Sequence, residues 1–230
     1  MDTGYVLTKS KYIRGLQCER AMWLDVHNPN AGWYPAETLA RFRMGRDFER
    51  GFKSTFPQGI DISRRLRSQI SRYPVLTAKL LQKPGEVVLF EAGFVFDGVL
   101  VLADVVHKEA DGMVSIYEVK HGTTVSDTFR NDVTVQHYVI GHALPLMGVH
   151  DLFCEGLQIE HFYVLYSDGE GGFAKEDLTD DAHAGWEEVA RNVAQFRETL
   201  QGGEPDIPMS PHCDNPYECP YKRYCSRRKK

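Results

Sequence analysis

Between residues 87 and 119 the chain shifts to short β-branched and aromatic runs, and this stretch does most to limit what the rest can fold into. Val87 to Phe96, Val99 to Val106 and Val114 to Val119 are separated by Asp97-Gly98 and by Glu109-Ala110-Asp111-Gly112. Turn residues between such runs predict a three-stranded antiparallel meander. A two-residue loop at Asp97-Gly98 pairs Phe96 with Val99, and the same register sets Glu91 opposite Asp104. A loop centred on Asp111 pairs Lys108 with Val114 and sets Asp104 opposite Glu118. Three carboxylates then stand in a row across neighbouring strands, on one face, at the strand spacing of about 5 Å. Lys120, two residues after Glu118, shares that face.

Like charges placed directly opposite one another destabilise a sheet, so the row needs either open water or a compensating cation. Solvent-facing residues of a half-wet sheet would satisfy the first reading. A divalent ion satisfies the second: Mg²⁺ prefers oxygen ligands, keeps several waters, and needs only one or two carboxylates plus phosphate oxygens. Lys120 would then orient or deprotonate an attacking water, or stabilise charge on a phosphate.

Around the meander the pattern is helical. Tyr12, Ile13 and Leu16, then Met22, Trp23 and Leu24, predict two short helices hinged near Gly15, with Cys18 at the hinge. Leu39, Phe42, Phe48 and Phe52 mark a helix from about Pro35 to Phe56. A helix over 126–144, a strand over 157–166, a Gly- and Asp-rich loop and a last helix over 182–200 follow, and after Gln201-Gly202-Gly203 the chain turns proline-rich and irregular. We read residues 1–230 as a single domain: a 1–30 N-terminal segment, a 35–200 core and a 204–230 tail.

The formal net charge of −5 excludes a uniformly basic surface, so any nucleic-acid contact must be local. Basic residues do cluster, at Arg41, Arg43, Arg46, Arg50 and Lys53, at Arg64, Arg65, Arg67 and Arg72, and at the C-terminus. The acidic run from Asp168 to Glu188 reads as a solvated face. No apolar run approaches the roughly 18 residues of a membrane span, and the first residues lack a signal-peptide profile, so a cytoplasmic protein without a membrane partner is expected.

Five cysteines in such a chain argue for metal or chance rather than a disulfide framework. Cys213, Cys219 and Cys225 recur every six residues in the tail, where no core could hold them. Three thiolates there want a metal and lack a fourth ligand. His212 could complete a Cys₃His zinc site, although zinc modules usually space their cysteine pairs more closely. Cys154 reads as a buried, inert thiol.

Asp104, followed after a hairpin by Glu118-Val119-Lys120, resembles the core motif of the PD-(D/E)XK nucleases. RecB-type members carry a Gln on the next helix, and Gln136 in Asp132-Val-Thr-Val-Gln136-His137-Tyr138 fits that place. Their usual Tyr four residues later is Ile140 here, with Tyr138 as its substitute. They also carry an acidic or His ligand four residues after a Gly on an early helix. Gly45-Arg46-Asp47-Phe48-Glu49 offers Glu49 there, and Asp47 second, against the alternative of a surface ion-pair partner. Glu91 is outside the usual motif and enters through the register alone. The iron–sulfur members, among them CRISPR-adaptation exonucleases and AddB-like repair nucleases, are similar in placing one cysteine far upstream and three near the C-terminus.

The resemblance implies a restriction-endonuclease-like, three-layer α/β core: a central mixed sheet with the antiparallel meander, helices on its faces, and terminal segments tethered by the cluster. It implies Mg²⁺ or Mn²⁺ on Glu49, Asp104, Glu118 and the carbonyl of Val119, with Lys120 handling the water and Gln136 positioning Lys120 or a phosphate. It implies a [4Fe–4S] cluster on Cys18, Cys213, Cys219 and Cys225. The expected activity is hydrolysis of DNA phosphodiesters, from single-stranded ends, in repair, recombination, CRISPR adaptation or phage defence. The implied partners are single-stranded DNA and a helicase or CRISPR integrase, the motor being a separate protein because no phosphate-binding loop motif occurs; the oligomeric state stays open. The rival reading is a non-catalytic nucleic-acid-binding or assembly subunit that keeps the fold and the cluster.

Overall fold

A computed structural model of the chain describes residues 5–147 and 157–227. Leu7–Thr8 (β1) leads straight into Lys9–Gln17 (α1), whose start is capped by Thr8 Oγ1 accepting from the Lys11 N–H. Glu19–His27 (α2) follows, and the single residue between them, Cys18, is extended at φ −168° and ψ 116°. The break therefore falls at Cys18 and not at Gly15. Gly15 lies inside α1, where an added Cβ would sit 2.6 Å from the ring of Phe196, so its role is close approach.

Ala36–Lys53 (α3) is the arginine-rich helix expected from the sequence. Next come Ile60–Asp61 (β2), Ile62–Leu66 (α4) and Tyr73–Leu81 (α5). The meander follows as Val87–Phe96 (β3), Val99–Lys108 (β4) and Val114–Val119 (β5). Asp127–Met147 (α6) crosses over to Ile159–Ser167 (β6), which pairs with Phe173–Asp177 (β7). Thr179–Ala184 (α7), Trp186–Gln201 (α8) and Lys222–Arg227 (α9) complete the chain. The expected last helix is thus two, and the supposed Gly- and Asp-rich loop contains β7. That strand escapes a periodicity reading because it is a short edge strand with little apolar content.

Among the described residues the protein is an α/β fold on a seven-stranded mixed sheet, ordered β2-β3-β4-β5-β6-β7, with β1 beside β4. β2–β3, β1–β4 and β5–β6 run parallel and the other pairs antiparallel. The parallel β5–β6 pair needs a crossover, which α6 supplies. Both hairpin registers are those expected: Phe96 faces Val99 and Lys108 faces Val114. Helices flank the sheet. The larger core joins Leu89, Phe94 and Val101 to Val139 and Ile140 of α6 and Val193 of α8. A smaller one joins Val88, Phe90 and Val105 to Phe52 of α3.

The alternation of inward side chains slips by one step in the middle of both long strands. Val88 and Phe90 belong to the smaller cluster but Ala92 and Phe94 to the larger, so the phase changes at Glu91. On β4 it changes between Ala103 and Val105, at Asp104. Glu91 has φ +54°, a left-handed conformation in which a non-glycine residue costs about 1–2 kcal/mol. Glu91 faces Asp104 across the strand pair, so the strained residue and both phase changes fall at one place on the sheet.

Candidate metal centre

Glu49 from α3, Glu91 from β3 and Asp104 from β4 each offer a carboxylate oxygen within 4.8 Å of the others. Three features of the chain bring them together. Phe48, Phe52 and Phe56 anchor α3 on the sheet and so aim Glu49 inward. The reversed backbone at Glu91 turns its side chain toward α3, where Lys53 Nζ donates to Glu91 Oε1 at 2.6 Å and also to Glu49. Asp104 lies where the β4–β5 ladder runs out, and its Oδ2 accepts from the Val119 N–H at 2.8 Å. Burial, reinforced by repulsion from Glu118, pushes the Asp104 carboxyl well above the usual range. Burial also raises Glu91, against the pull of Lys53.

Glu118 and Lys120 face the α6 side, so the expected row of three carboxylates with a lysine on one face is not what forms. Glu118 is 2% exposed and is gripped by three donors: Lys9 Nζ at 2.6 Å and Lys120 Nζ at 2.7 Å on Oε1, and Gln136 Nε2 at 2.7 Å on Oε2. Burial alone would raise its pKa, but the two ammonium groups hold it far below the carboxylate range. Lys120 also pairs with Asp132 of α6; despite burial, these two carboxylates keep it protonated well past a normal lysine. Lys120 can therefore donate to an anion but cannot take a proton from water at neutral pH.

The two groups form one electrostatic unit, because Asp104 feels Glu118, Glu49 and Glu91 alike. Three ammonium groups (Lys9, Lys53, Lys120) stand among five carboxylates (Glu49, Glu91, Asp104, Glu118, Asp132). With all eight ionised, two negative charges remain, which is the charge of one divalent cation. A cavity of about 480 Å³ opens beside Glu49, Glu91 and Lys53, rimmed by Arg46, Arg50 and Arg64 and floored partly by Phe56 and Phe90. Its size suits a small ligand or one segment of a longer one.

The cysteines meet at the opposite end of α1. Cys219 is buried with Ala21, Leu24 and Tyr221, and Cys18 and Cys225 pack against that cluster. The Cys219 N–H donates to the Cys213 carbonyl at 2.8 Å. Burial first, and the neighbouring sulfurs of Cys18 and Cys213 in addition, push the Cys219 thiol up to about 11. The tail is sewn down by polar contacts: Gln17 Nε2 donates to the carbonyls of His212 and Tyr217, Arg20 pairs with Glu204, and Tyr221 Oη donates to Asp25. His212 places Nδ1 2.6 Å from Ser210 Oγ. Cys154 lies outside the described residues.

The remaining expected residues fall as follows. Val119 turns its N–H, not its carbonyl, to Asp104. Asp47 forms an exposed pair with Arg50, away from the carboxylate group. The Tyr138 hydroxyl points elsewhere and donates to Asp97 at the β3–β4 turn. Lys9, Lys53 and Asp132 were not anticipated. Lys53 stands one helical turn after Glu49 and Asp132 one turn before Gln136, a spacing that could have flagged both. Neither a protein-family model nor a curated sequence matches the chain.

Proposed function

We propose that the chain is a Mg²⁺- or Mn²⁺-dependent deoxyribonuclease of the PD-(D/E)XK, RecB-like kind, acting on single-stranded DNA ends. The observation that carries this reading is the convergence of Glu49, Glu91 and Asp104 beside the Glu118-Val119-Lys120 strand end, where five carboxylates meet three lysines. Glu49, Glu91 and Asp104 would hold the ion, with Glu118 next to them. Such an ion supplies a Lewis acid for a phosphoryl oxygen and a water of lowered pKa.

The chain's own residues do the rest. Lys120, permanently charged, sits where it can stabilise negative charge building on a phosphate. Gln136 fixes Glu118, and because its Nε2 faces two acceptors, Glu118 Oε2 and the Asp132 carbonyl, its buried Oε1 is left to accept from a water or a substrate hydroxyl. Arg46, Arg50 and Arg64 at the cavity rim offer the backbone of a strand its counter-charge, and Phe56 and Phe90 offer ring surface.

An iron–sulfur cluster on Cys18, Cys213, Cys219 and Cys225 is part of this reading, supported by the packing of Cys18, Cys219 and Cys225 in one cluster and by the electrostatic proximity of Cys213 to them. Its role is to fasten the tail to α1 and α2. One observation favours a non-catalytic binding subunit: Lys53 already lies between Glu49 and Glu91. The two uncompensated charges weigh against it. End-labelled single- and double-stranded DNA with Mn²⁺ decides between them. Cleavage that Asp104→Ala abolishes supports the nuclease; tight binding without cleavage by the wild type establishes the binding subunit instead.

A further inference from the structure

The geometry points to Lys9 as a second phosphate-binding lysine of this site, delivered by α1 from the N-terminal segment; the inference rests on the nuclease reading above. Lys9 Nζ and Lys120 Nζ contact the same oxygen, Glu118 Oε1, at 2.6 and 2.7 Å. Gln136 already occupies the other oxygen. Without Lys9, Glu118 still keeps one donor on each oxygen, Lys120 and Gln136, and the two lysines differ in what else they hold. Lys120 is shared with Asp132, while among the described residues the hydrogen bond of Lys9 is to Glu118 alone. Lys9 is the ammonium that an arriving anion can draw off at least cost. Its flexible stem and three donors suit a phosphate oxygen.

Lys9 is also not a loose terminal side chain. The residues before it, Leu7 and Thr8, pair with Val99 and Leu100 of β4, the strand that carries Asp104. At the other end of α1, Gln17 donates to the tail carbonyls of His212, Asn215 and Tyr217, and Cys18 enters the cysteine pocket. In between, Tyr12 is buried and packs edge-on against Phe196 of α8 at 5.5 Å. Nine residues at about 1.5 Å each make a strut of roughly 13 Å between the cysteines and the carboxylates. The Lys9 side chain keeps 19% of its surface exposed, close to the 20% of Lys120.

A purely structural role, holding Glu118 in place, makes different demands from a phosphate contact. The test measures binding of a single-stranded oligonucleotide in Ca²⁺ across a KCl series for the wild type, Lys9→Met, Lys9→Gln and Lys9→Arg, with Mn²⁺ affinity measured separately and folding checked by melting temperature. One phosphate contact on a single strand contributes about 0.7 to the slope of log affinity against log salt. Lys9→Met should lower that slope by about 0.7 and weaken binding about five- to tenfold, while Mn²⁺ binds as tightly as before or tighter, a competing cation having gone. Lys9→Arg should restore the slope. Lys9→Gln keeps a donor for Glu118 without the charge and serves as the neutral variant should Lys9→Met fail to fold. It should behave like Lys9→Met. An unchanged slope in both neutral variants, a loss that arginine does not restore, or weakened Mn²⁺ binding overturns the inference. A wild type that binds DNA without cutting it removes the nuclease reading alone, since the salt slope still judges Lys9; a wild type that does not bind DNA removes both.

Discussion

The carboxylate group and the cysteine pocket both concentrate cation-seeking ligands, yet they are assembled in contrasting ways. Glu49, Glu91, Asp104 and Glu118 stand on an α-helix and three paired strands, and lysines partly neutralise them in place. The carboxylates are held by regular elements, so a cation bound there would complete their charge without having to create the shape. Three of the four pocket cysteines lie instead in a tail whose regular pieces among the described residues are one 3₁₀ turn and the short α9, held through contacts such as Gln17 to His212, 195 residues apart. A group bound there would be part of the fold, because closing so long a loop is entropically costly and the bound group would offset it. Breaking the first site should therefore remove activity and spare stability, and breaking the second should remove stability first.

The largest expected effect tests the first half of that contrast. Asp104→Asn should lower cleavage by about a thousandfold by removing a ligand of the ion. It should also raise the melting temperature of the metal-free protein. The sign follows from linkage: the folded-state pKa of Asp104 is raised above its unfolded value by burial and by Glu118, so above the unfolded value the ionised carboxylate costs the native state stability that asparagine does not. Asparagine also keeps an oxygen for the Val119 N–H. A variant that loses activity and melts lower would make the site an ordinary structural cluster.

Cys18→Ser should do the reverse. Loss of one cluster ligand should cost about 3–4 kcal/mol through the long loop it closes. The broad absorbance near about 400 nm expected of an iron–sulfur centre should vanish, and limited proteolysis should nick both ends of the chain. Unchanged protease resistance at the N-terminal segment would show that the polar contacts of Gln17, Arg20 and Tyr221 suffice without the cluster.

A smaller effect separates stability from cation binding. His137 of α6 is buried beside His183 and His142, and Trp186 Nε1 donates to its Nδ1 at 2.8 Å, which requires that nitrogen to be unprotonated. Burial first, and the neighbouring histidines second, push its pKa down to about 4. A histidine depressed in the folded state contributes stability at pH above its unfolded value near about 6.5 that is lost as pH falls toward the folded value, here about 2–3 kcal/mol across that interval. Urea titrations from pH 7 to pH 4 should show that loss in the wild type and a flatter profile in His137→Gln. Equal profiles would assign the acid sensitivity to other groups.

Most of the meander was legible before any coordinates, because turn chemistry fixes the strand register and register fixes which residues oppose one another. Asp104 and Glu91 do occupy facing positions, flanked by Phe90–Val105 and Ala92–Ala103. The left-handed backbone of Glu91 was not legible: nothing in Phe90-Glu91-Ala92 signals it, and it is what turns that carboxylate to α3 instead of leaving the row intact. Lys9 was hidden for another reason. A lysine one residue before a helical pattern reads as solvated surface, and only the parallel pairing of Leu7 with Val99 carries it to Glu118. Within residues 57–86, β2 and α4 are too short for periodicity to show, at two residues and five.

The smallest effect concerns Tyr138, whose hydroxyl lies away from the place expected of it. If Tyr138 stood in for the family tyrosine, removing its hydroxyl would slow cleavage. In the structure that hydroxyl donates to Asp97 Oδ2 at 3.2 Å, while Arg197 holds Oδ1 at 2.9 Å, so the β3–β4 turn is braced between α6 and α8. Burial, with Asp97 adding to it, pushes the phenol up to about 12, which keeps it a donor at every ordinary pH. Tyr138→Phe retains the ring that packs edge-on against Phe96 and loses one hydrogen bond to a carboxylate, worth about 1 kcal/mol. In a chain of this length that corresponds to a fall in melting temperature of about 2–4 °C. Cleavage measured on the same end-labelled strand should stay within about twofold of the wild type, since a stability loss of that size leaves the native state fully populated. A tenfold loss of rate at unchanged melting temperature would return Tyr138 to the site and take the brace away from the turn.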